Sequence, residues 1–379
     1  FNISSMITTK TNPMGSVCFD GDSIEFVTKY FENRTIEESC KELITTKNLF
    51  VDKINESGVL EEKLHFPAYN SGLNMFMSNQ ENIVLFNNGT YHFHLTLPTL
   101  TQNSRIVDYD AFENTHANAM YLLQWFQPLF IATLGSPDIM GVISEKFNLD
   151  KNYALGSMRN AMSRYIGVGT YNKVMPKGKI LTYKVEDFRK LLKFTKEENI
   201  WWRDQIENDM EYNLLSDVGL DFNQEKMYQS GFEFRSFDEF PISYLEDVLY
   251  ALLLICEHSL NVTDVAWGHD SKVWNNIIFK SLKHGYTTEM TAEEKAEVLE
   301  VLQLTHFKSE FEAIVLLDEF FFKILEVLHD KYKDNNVCIN AMSNQKRDHF
   351  TRWNNFNKFQ IEQHKKQIEM VGLEAKISS

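Results

Sequence analysis

The spacing of hydrophobic and polar positions changes along the chain, from strand-like alternation in the first part to helical spacing in the last. Two short apolar runs, residues 16–19 and 23–28, flank Asp20-Gly21-Asp22 and predict a hairpin. Thr35 and Glu38 form a capping box, which predicts a helix that begins after Thr35. A second hairpin is predicted from residues 82–86 and 90–97, which lie on either side of an Asn-Gly turn.

Apolar residues recur every three or four positions from residue 109 and predict a helix that stops at Gly135-Ser136-Pro137. Residues 232–237 alternate again and predict one late strand. Further helices are predicted at 185–215, 244–260, 272–282, 292–302, 311–328 and 346–370. An early antiparallel sheet, one late strand and a helical C-terminal third together indicate an α+β fold.

The length of the chain indicates how many domains to expect, and its net charge indicates which classes of partner it can bind. At 379 residues the chain is large enough for one large or two fused domains. We expect a sheet-bearing region at residues 1–262 and a helical region at 263–379 packed on it. Lys and Arg number 38 against 53 Asp and Glu, a net charge of −15. Because nucleic acid and anionic membranes repel such a chain, we expect neither as a partner.

Cysteine usage and hydropathy indicate the compartment. The four cysteines are far apart and show no zinc-ligand spacing, which is typical of buried thiols in a reducing environment. No apolar run reaches the roughly 18 residues that a membrane span needs. The first residues also lack a basic segment followed by an apolar one. We therefore expect a cytoplasmic protein.

Candidate chemistry comes from ionisable residues in strand-like segments. Side chains two residues apart on a strand point the same way, so His92 shares a face with His94, and Glu233 with Arg235. Glu25 lies in the first predicted hairpin. Burying such groups is costly unless they bind a metal or each other. Each pair alone is also typical of a solvated strand face or a surface ion pair, but paired strands would gather all five residues in one polar patch.

Four segments, in order, resemble the carboxylate–amine ligases of the glutamine synthetase superfamily, including glutamate–cysteine ligase-like and amidoligase proteins. They are the acidic strand at 20–28, the Gly-Thr and His-x-His strand at 88–94, the helix and Ser-x-Arg stretch at 116–159, and the Glu-x-Arg-x-x-Asp strand at 231–238. The resemblance covers residues 17–260.

The resemblance implies a curved antiparallel sheet that forms a funnel-like active site, with ATP at one end, the amino-acid substrate at the other, and Mg²⁺ or Mn²⁺ between them. Mg²⁺ takes carboxylate and phosphate oxygens, and Arg stabilises charge on a transferring phosphoryl group. The implied roles are metal ligation by Glu25 and Glu233, and metal ligation or phosphate contact by His92. His94 would contact the nucleotide phosphates, and Arg235 and Arg159 would be cationic catalytic and ATP-binding clamps.

The implied activity is ATP-dependent formation of an amide through an acyl phosphate, from an amino-acid or peptide carboxylate and an amine. Members of the superfamily open with a Glu-x-Glu strand, whereas residues 1–16 contain no acidic residue. Either a preceding strand supplies these ligands or the site has fewer carboxylates. The second case favours an alternative function, a catalytically inactive scaffold or interaction subunit of a homo-oligomer or larger assembly. A His-based metal hydrolase is a weaker alternative, since no His-Glu-x-x-His spacing occurs.

Overall fold

The computed structural model describes the chain at residues 17–20, 23–28, 35–66, 91–103, 105–137, 142, 145–146, 155–157, 160, 220–223, 231–268, 271–339 and 348–370. Within these residues, helices combine with small antiparallel sheets, which confirms the α+β prediction. The strands are β1 Val17–Asp20, β2 Ser23–Phe26, β3 Tyr91–Leu95, β4 Thr101–Gln102, β5 Arg105–Ile106, β6 Leu220–Asn223 and β7 Gly231–Phe237. The helices are α1 Ile36–Ser57, α2 Tyr109–Leu134, α3 Leu245–Ser259, α4 Lys272–His284, α5 Ala292–Val301, α6 Leu317–Tyr332 and α7 Phe356–Met370.

The described strands form three separate sheets. β1 pairs with β2 and β4 with β5, and a three-stranded antiparallel sheet has the order β3-β7-β6. The hairpin predicted around Asp20 is confirmed by the β1–β2 pairing, and the capping box at Thr35 and Glu38 begins α1 as predicted. The predicted strand at 82–86 and the predicted helix at 185–215 lie outside the described residues.

Helix α2 is the centre of the hydrophobic core. The Asp108 side chain caps its start by accepting a hydrogen bond from the Ala111 amide at 2.9 Å, and the helix ends at Gly135 as predicted. Every residue from 122 to 134 is buried, including Trp125 and Phe130, because β7 and helices α3, α4, α6 and α7 surround this half.

β7 packs one face against α2 and thereby directs its other face outward. The Phe130 ring lies 5.8 Å from that of Phe234 and 4.7 Å from that of Phe237, measured between centroids. Phe232 and Phe234 are buried, as are Phe93 and Leu95 of β3. The side chains between them, Glu233 and His94, lie on the opposite face of the two strands.

Two of the predicted C-terminal helices begin later than their apolar pattern indicates. The helix predicted from residue 311 begins at Leu317, since residues 305–311 form a 3₁₀ helix and Leu316 forms a β-bridge with Glu289. The Lys295 ammonium group donates to three main-chain carbonyls at the end of that 3₁₀ helix and just after it, those of Phe311, Glu312 and Ile314. The helix predicted from residue 346 begins at Phe356, because Asn355 accepts a hydrogen bond from the Lys358 amide and so acts as its cap.

The helices beyond residue 262 pack directly on α2. The Trp274 indole of α4 donates to the Gln124 carbonyl of α2 at 2.9 Å, and Phe126 of α2 contacts Phe321 of α6. One hydrophobic cluster includes residues from both sides of position 262. The domain division at that position stays a prediction, as does a funnel-shaped sheet. None of the helices in the described ranges has the length and hydropathy of a membrane-spanning segment.

Candidate functional site

The pairing of β3 with β7 places the predicted site residues next to one another. His94 lies opposite Glu233, and Leu95 lies opposite Phe232. Gly231 begins β7 with a φ of 148°, and a Cβ atom there would collide with the carbonyl oxygen of Leu95. Glycine therefore lets the backbone of β7 approach the end of β3 and fixes this register.

β7 carries one residue more than β3 within their pairing. Two steps on β3, from Tyr91 to Phe93 (93 − 91 = 2), face three steps on β7, from Phe234 to Phe237 (237 − 234 = 3). The extra residue makes a β-bulge that contains Arg235. Bulges re-aim the side chains around them and occur often next to functional sites. Here the bulge brings the guanidinium of Arg235 to the same carboxylate that β3 approaches.

One carboxylate holds three basic side chains on the outward face of the two strands. Glu233 Oε1 lies 3.2 Å from His92 Nδ1 and 3.5 Å from His94 Nε2. Glu233 Oε2 accepts a hydrogen bond from Arg235 Nη2 at 2.7 Å. We call these four residues the Glu233 cluster. Strand alternation predicted the shared faces correctly, and four of the six predicted site residues are in contact.

The environment of Glu233 keeps its carboxylate ionised. Burial alone would raise the pKa of Glu233, but hydrogen bonds from His92 and His94 and the charge of Arg235 outweigh it. Together they hold the pKa of Glu233 well below its usual range. The carboxylate is thus a permanent acceptor that fixes the orientation of its three partners.

The three partners of Glu233 are partly exposed to solvent, whereas the Glu233 side chain itself is buried. The side chains of His92, His94 and Arg235 are 24%, 30% and 24% exposed, against 7% for Glu233. The net charge of the cluster is zero with neutral imidazoles and +1 or +2 when one or both are protonated. In a chain of net charge −15, this is a local surface on which an anion can bind. Arg in particular matches the paired oxygens of phosphate and carboxylate groups.

Of the other two predicted site residues, the structure describes only Glu25. Glu25 lies on β2, opposite Cys18 in the β1–β2 hairpin, which is a separate sheet from β3-β7-β6. The expected sheet that would carry all five candidate residues is therefore wrong for Glu25, because its strand pairs locally instead. Arg159 lies outside the described residues.

The donor set of the cluster does not match the metal that the resemblance implies. Across the described part of the chain, no group of three or more His, Cys, Asp or Glu side chains has an arrangement that could hold a metal ion. Both oxygens of Glu233 are engaged by His92, His94 and Arg235. Mg²⁺ and Mn²⁺ prefer carboxylate, carbonyl and water oxygens, so one engaged carboxylate with two imidazoles does not fit either ion. Metal ligation by Glu25, His92 and Glu233 stays a prediction. It would require Glu233 to exchange its contacts with His92, His94 and Arg235 for contacts with a metal ion.

A second cluster of polar residues lies just beyond the end of β7 and is almost entirely buried. Asp238 Oδ2 accepts hydrogen bonds from the amide of Ser136 at 2.9 Å and from Ser157 Oγ at 2.5 Å. Asn160 donates to Ser157 Oγ, and Asn357 of α7 donates to carbonyls of the same region. We call these five residues the polar knot. The ligase-like motifs include Ser136, Ser157 and Asp238, whereas Asn160 and Asn357 were missed.

Comparison with known proteins adds one similar sequence. The chain is 34% identical over 332 residues to the "Uncharacterized protein R704" of Acanthamoeba polyphaga mimivirus. The match covers 86% of this chain and 56% of the viral protein, so the chain spans about half the length of that curated relative. No family model and no solved structure matches the chain.

Proposed function

We propose that this protein is an ATP-dependent carboxylate–amine ligase, and that the Glu233 cluster binds the anionic groups of its substrates. The sheet β3-β7-β6 then belongs to the curved, funnel-like sheet that the sequence resemblance implies. The substrates are ATP, supplied as its Mg²⁺ or Mn²⁺ complex, an amino-acid or peptide carboxylate, and an amine.

The observation that carries the proposal is the pairing of one buried, ionised carboxylate with three partly exposed basic side chains. This arrangement differs from an ordinary surface ion pair, in which both side chains are exposed and solvent screens the attraction between their charges. Glu233 instead holds His92, His94 and Arg235 in place before a ligand arrives. Preorganised donors of this kind stabilise charge that develops on phosphoryl oxygens during transfer.

The reaction balances as two displacements. A carboxylate oxygen of the acid substrate attacks the γ-phosphorus of ATP, the bond to the ADP oxygen breaks, and an acyl phosphate forms. The amine nitrogen then attacks the acyl carbon, phosphate leaves, and the nitrogen loses a proton to give the amide. Arg235 would hold the transferring phosphoryl group or the substrate carboxylate, with His94 next to the nucleotide phosphates. Arg159 is proposed as a second cationic clamp. No step is assigned to a metal ligand of this chain.

The direct test is release of ADP and phosphate with Mg²⁺ or Mn²⁺ across a panel of amino acids and amines. We expect turnover that requires both an acid and an amine, and a loss of at least about 100-fold in Glu233→Gln, since Gln cannot hold three basic partners. The matched control is Glu310→Gln, because Glu310 forms an exposed ion pair with Lys323 at 2.9 Å. Full activity in Glu233→Gln, or no turnover with any substrate pair, would contradict the proposal.

A catalytically inactive, ligase-like scaffold is the second candidate, and one observation favours it. The cluster offers a single carboxylate, and no metal-holding group occurs among the residues that the structure describes. Calorimetry with ATP and Mg²⁺ separates the two functions. A scaffold that has lost the activity is expected to give no binding heat, whereas a ligase must bind the nucleotide.

A further inference from the structure

The polar knot connects the end of β7 to a segment that is distant in sequence. Asp238 follows β7 and is 5% exposed, and it receives hydrogen bonds from Ser136 and Ser157. Asn160 Nδ2 donates to Ser157 Oγ at 2.9 Å and to the Ser236 carbonyl at 2.8 Å. Ser157 and Asn160 are therefore both tied to β7 at its last residues, just beyond the bulge that carries the Glu233 cluster's arginine.

A carboxamide from the C-terminal helix holds the same segment from the other side. Asn357 Nδ2 lies 2.8 Å from the Gly135 carbonyl oxygen, 2.8 Å from that of Leu155 and 2.9 Å from that of Gly156. Its Oδ1 accepts a hydrogen bond from the Tyr286 amide at 3.0 Å. Asn357 is completely buried, so no solvent can replace these contacts.

The chain is packed so closely around Asn357 that the glycines next to it leave no room for a larger residue. A Cβ atom at Gly135 would collide with the carbonyl oxygen of Gly156, and one at Gly285 would collide with Asn357 Oδ1. Three other chain segments, at Gly135, at Leu155 and Gly156, and at Tyr286, thus lie within hydrogen-bond distance of one carboxamide of α7. Close-packed contacts of this kind transmit displacements instead of absorbing them.

We infer that Asn357 and Asp238 are positioning residues, which hold residues 155–157 and Asn160 against the end of β7 and thereby make α7 part of the site. This inference rests on the proposed function for its catalytic consequence. Ser157 and Asn160 flank Arg159 in the sequence, and Arg235 lies three residues before Asp238. The polar knot therefore positions Ser157 and Asn160, which lie on either side of Arg159 in the sequence, relative to β7, which carries Arg235.

Hydrogen exchange on the full chain tests the positioning role without relying on activity. In Asn357→Ser we expect amides at 155–157 and at 236–238 to exchange at least about tenfold faster, because the hydrogen bonds that hold them are lost or weakened. The matched control is Asn355→Ser on the same helix, whose carboxamide contacts Lys358 and Asp318 instead. Asn355→Ser should speed exchange only near the start of α7. Unchanged exchange at 155–157 and 236–238 in Asn357→Ser would overturn the inference.

Asp238→Asn provides a second variant if Asn357→Ser does not fold. Asn keeps the shape and one acceptor oxygen, so the fold should survive while the hold on Ser157 weakens. We expect faster exchange at 155–157, and in an active enzyme a fall in kcat of about tenfold with KM for ATP nearly unchanged. Faster exchange in a protein without turnover would support the knot and count against the ligase. Normal exchange in an active enzyme would refute the knot alone.

Discussion

Two groups of histidines, on the strand β3 and in the helical core, differ in a way that distinguishes a binding role from a structural one. His92 and His94 lie on the outward face of β3, partly exposed and beside an ionised carboxylate. His116 and His258 are completely buried in the helical core, where each ring is held by main-chain groups or by a tyrosine hydroxyl. The residue type is the same, but only the first pair can meet a solute.

The core histidines are neutral in the folded protein near neutral pH. His116 Nε2 lies 3.0 Å from the Leu97 amide, which donates to it, and His116 Nδ1 lies 2.8 Å from the Phe112 carbonyl oxygen. Both ring nitrogens are thus used by the neutral form. Burial lowers the pKa of His116, His258 and His364 to about 4 each. These three rings are structural, and the contrast shows why burial and partners, more than residue type, identify a site.

The largest expected effect is a loss of stability in mild acid that originates in the core. Since the pKa values of these three histidines are lowered in the folded state, the unfolded chain binds more protons between about pH 6.5 and pH 4. The free energy of unfolding should therefore be highest above pH 6.5 and fall below it, by up to about 1.4 kcal/mol per pH unit for each ring. Urea unfolding between about pH 7 and pH 5 measures this slope.

The variant His116→Gln sharpens that prediction. It should reduce the slope by about one proton over the same range, whatever its effect on absolute stability. His306→Gln is the matched control, because His306 is exposed and its replacement removes no buried ring. An equal slope in the wild type and His116→Gln would mean that His116 is not held neutral by the core.

A smaller loss of stability is expected from Glu233→Gln. The variant removes the negative charge and one of the two acceptor oxygens that the three basic side chains share, which should cost about 1–3 kcal/mol near neutral pH. Glu310→Gln, at the exposed Lys323 pair, should cost under about 1 kcal/mol. Chemical denaturation of the two variants gives the comparison. If the two losses are equal, Glu233 does not organise the cluster.

The smallest effect on stability is expected from His94→Asn, although its effect on ligand binding should be clear. Because the His94 side chain is 30% exposed and lies 3.5 Å from Glu233, its loss should change the free energy of unfolding by less than about 1 kcal/mol. Affinity for inorganic triphosphate should fall at least about threefold, since one donor to the anion is removed. A large loss of stability with unchanged affinity would place His94 with the core histidines.

Much of the site could be predicted from the sequence because strand periodicity is local. Alternation alone placed His92 with His94 and Glu233 with Arg235, and the apolar residues between them, such as Phe234, identified the buried face. Helix α2 was predicted for the same reason, since its apolar spacing and its terminal glycine are sequence signals. These features depend on residues close together in the chain.

The parts that were not predicted depend on contacts between distant segments. Glu25 was expected in the same sheet, but which strands pair is decided by packing, and its strand pairs with β1 alone among the described strands. The bulge at Arg235 is visible only in the register of β3 against β7. Asn357 had one weak signal, a polar residue at a core-facing helical position together with Gln360 and His364. Its three carbonyl partners come from residues more than 200 positions away.

The most direct test of the central claim is calorimetric titration of the protein with ATP and Mg²⁺, in the wild type and in two arginine variants. The account predicts binding to the wild type, a loss of affinity of at least about tenfold in Arg235→Gln, and no change in Arg352→Gln. Arg352 is a fair control because it is partly exposed, lies over the Phe322 ring and has Glu326, not Glu233, as its carboxylate neighbour. Absence of binding heat in the wild type, or equal affinity in Arg235→Gln, would contradict the claim that this cluster receives a nucleotide.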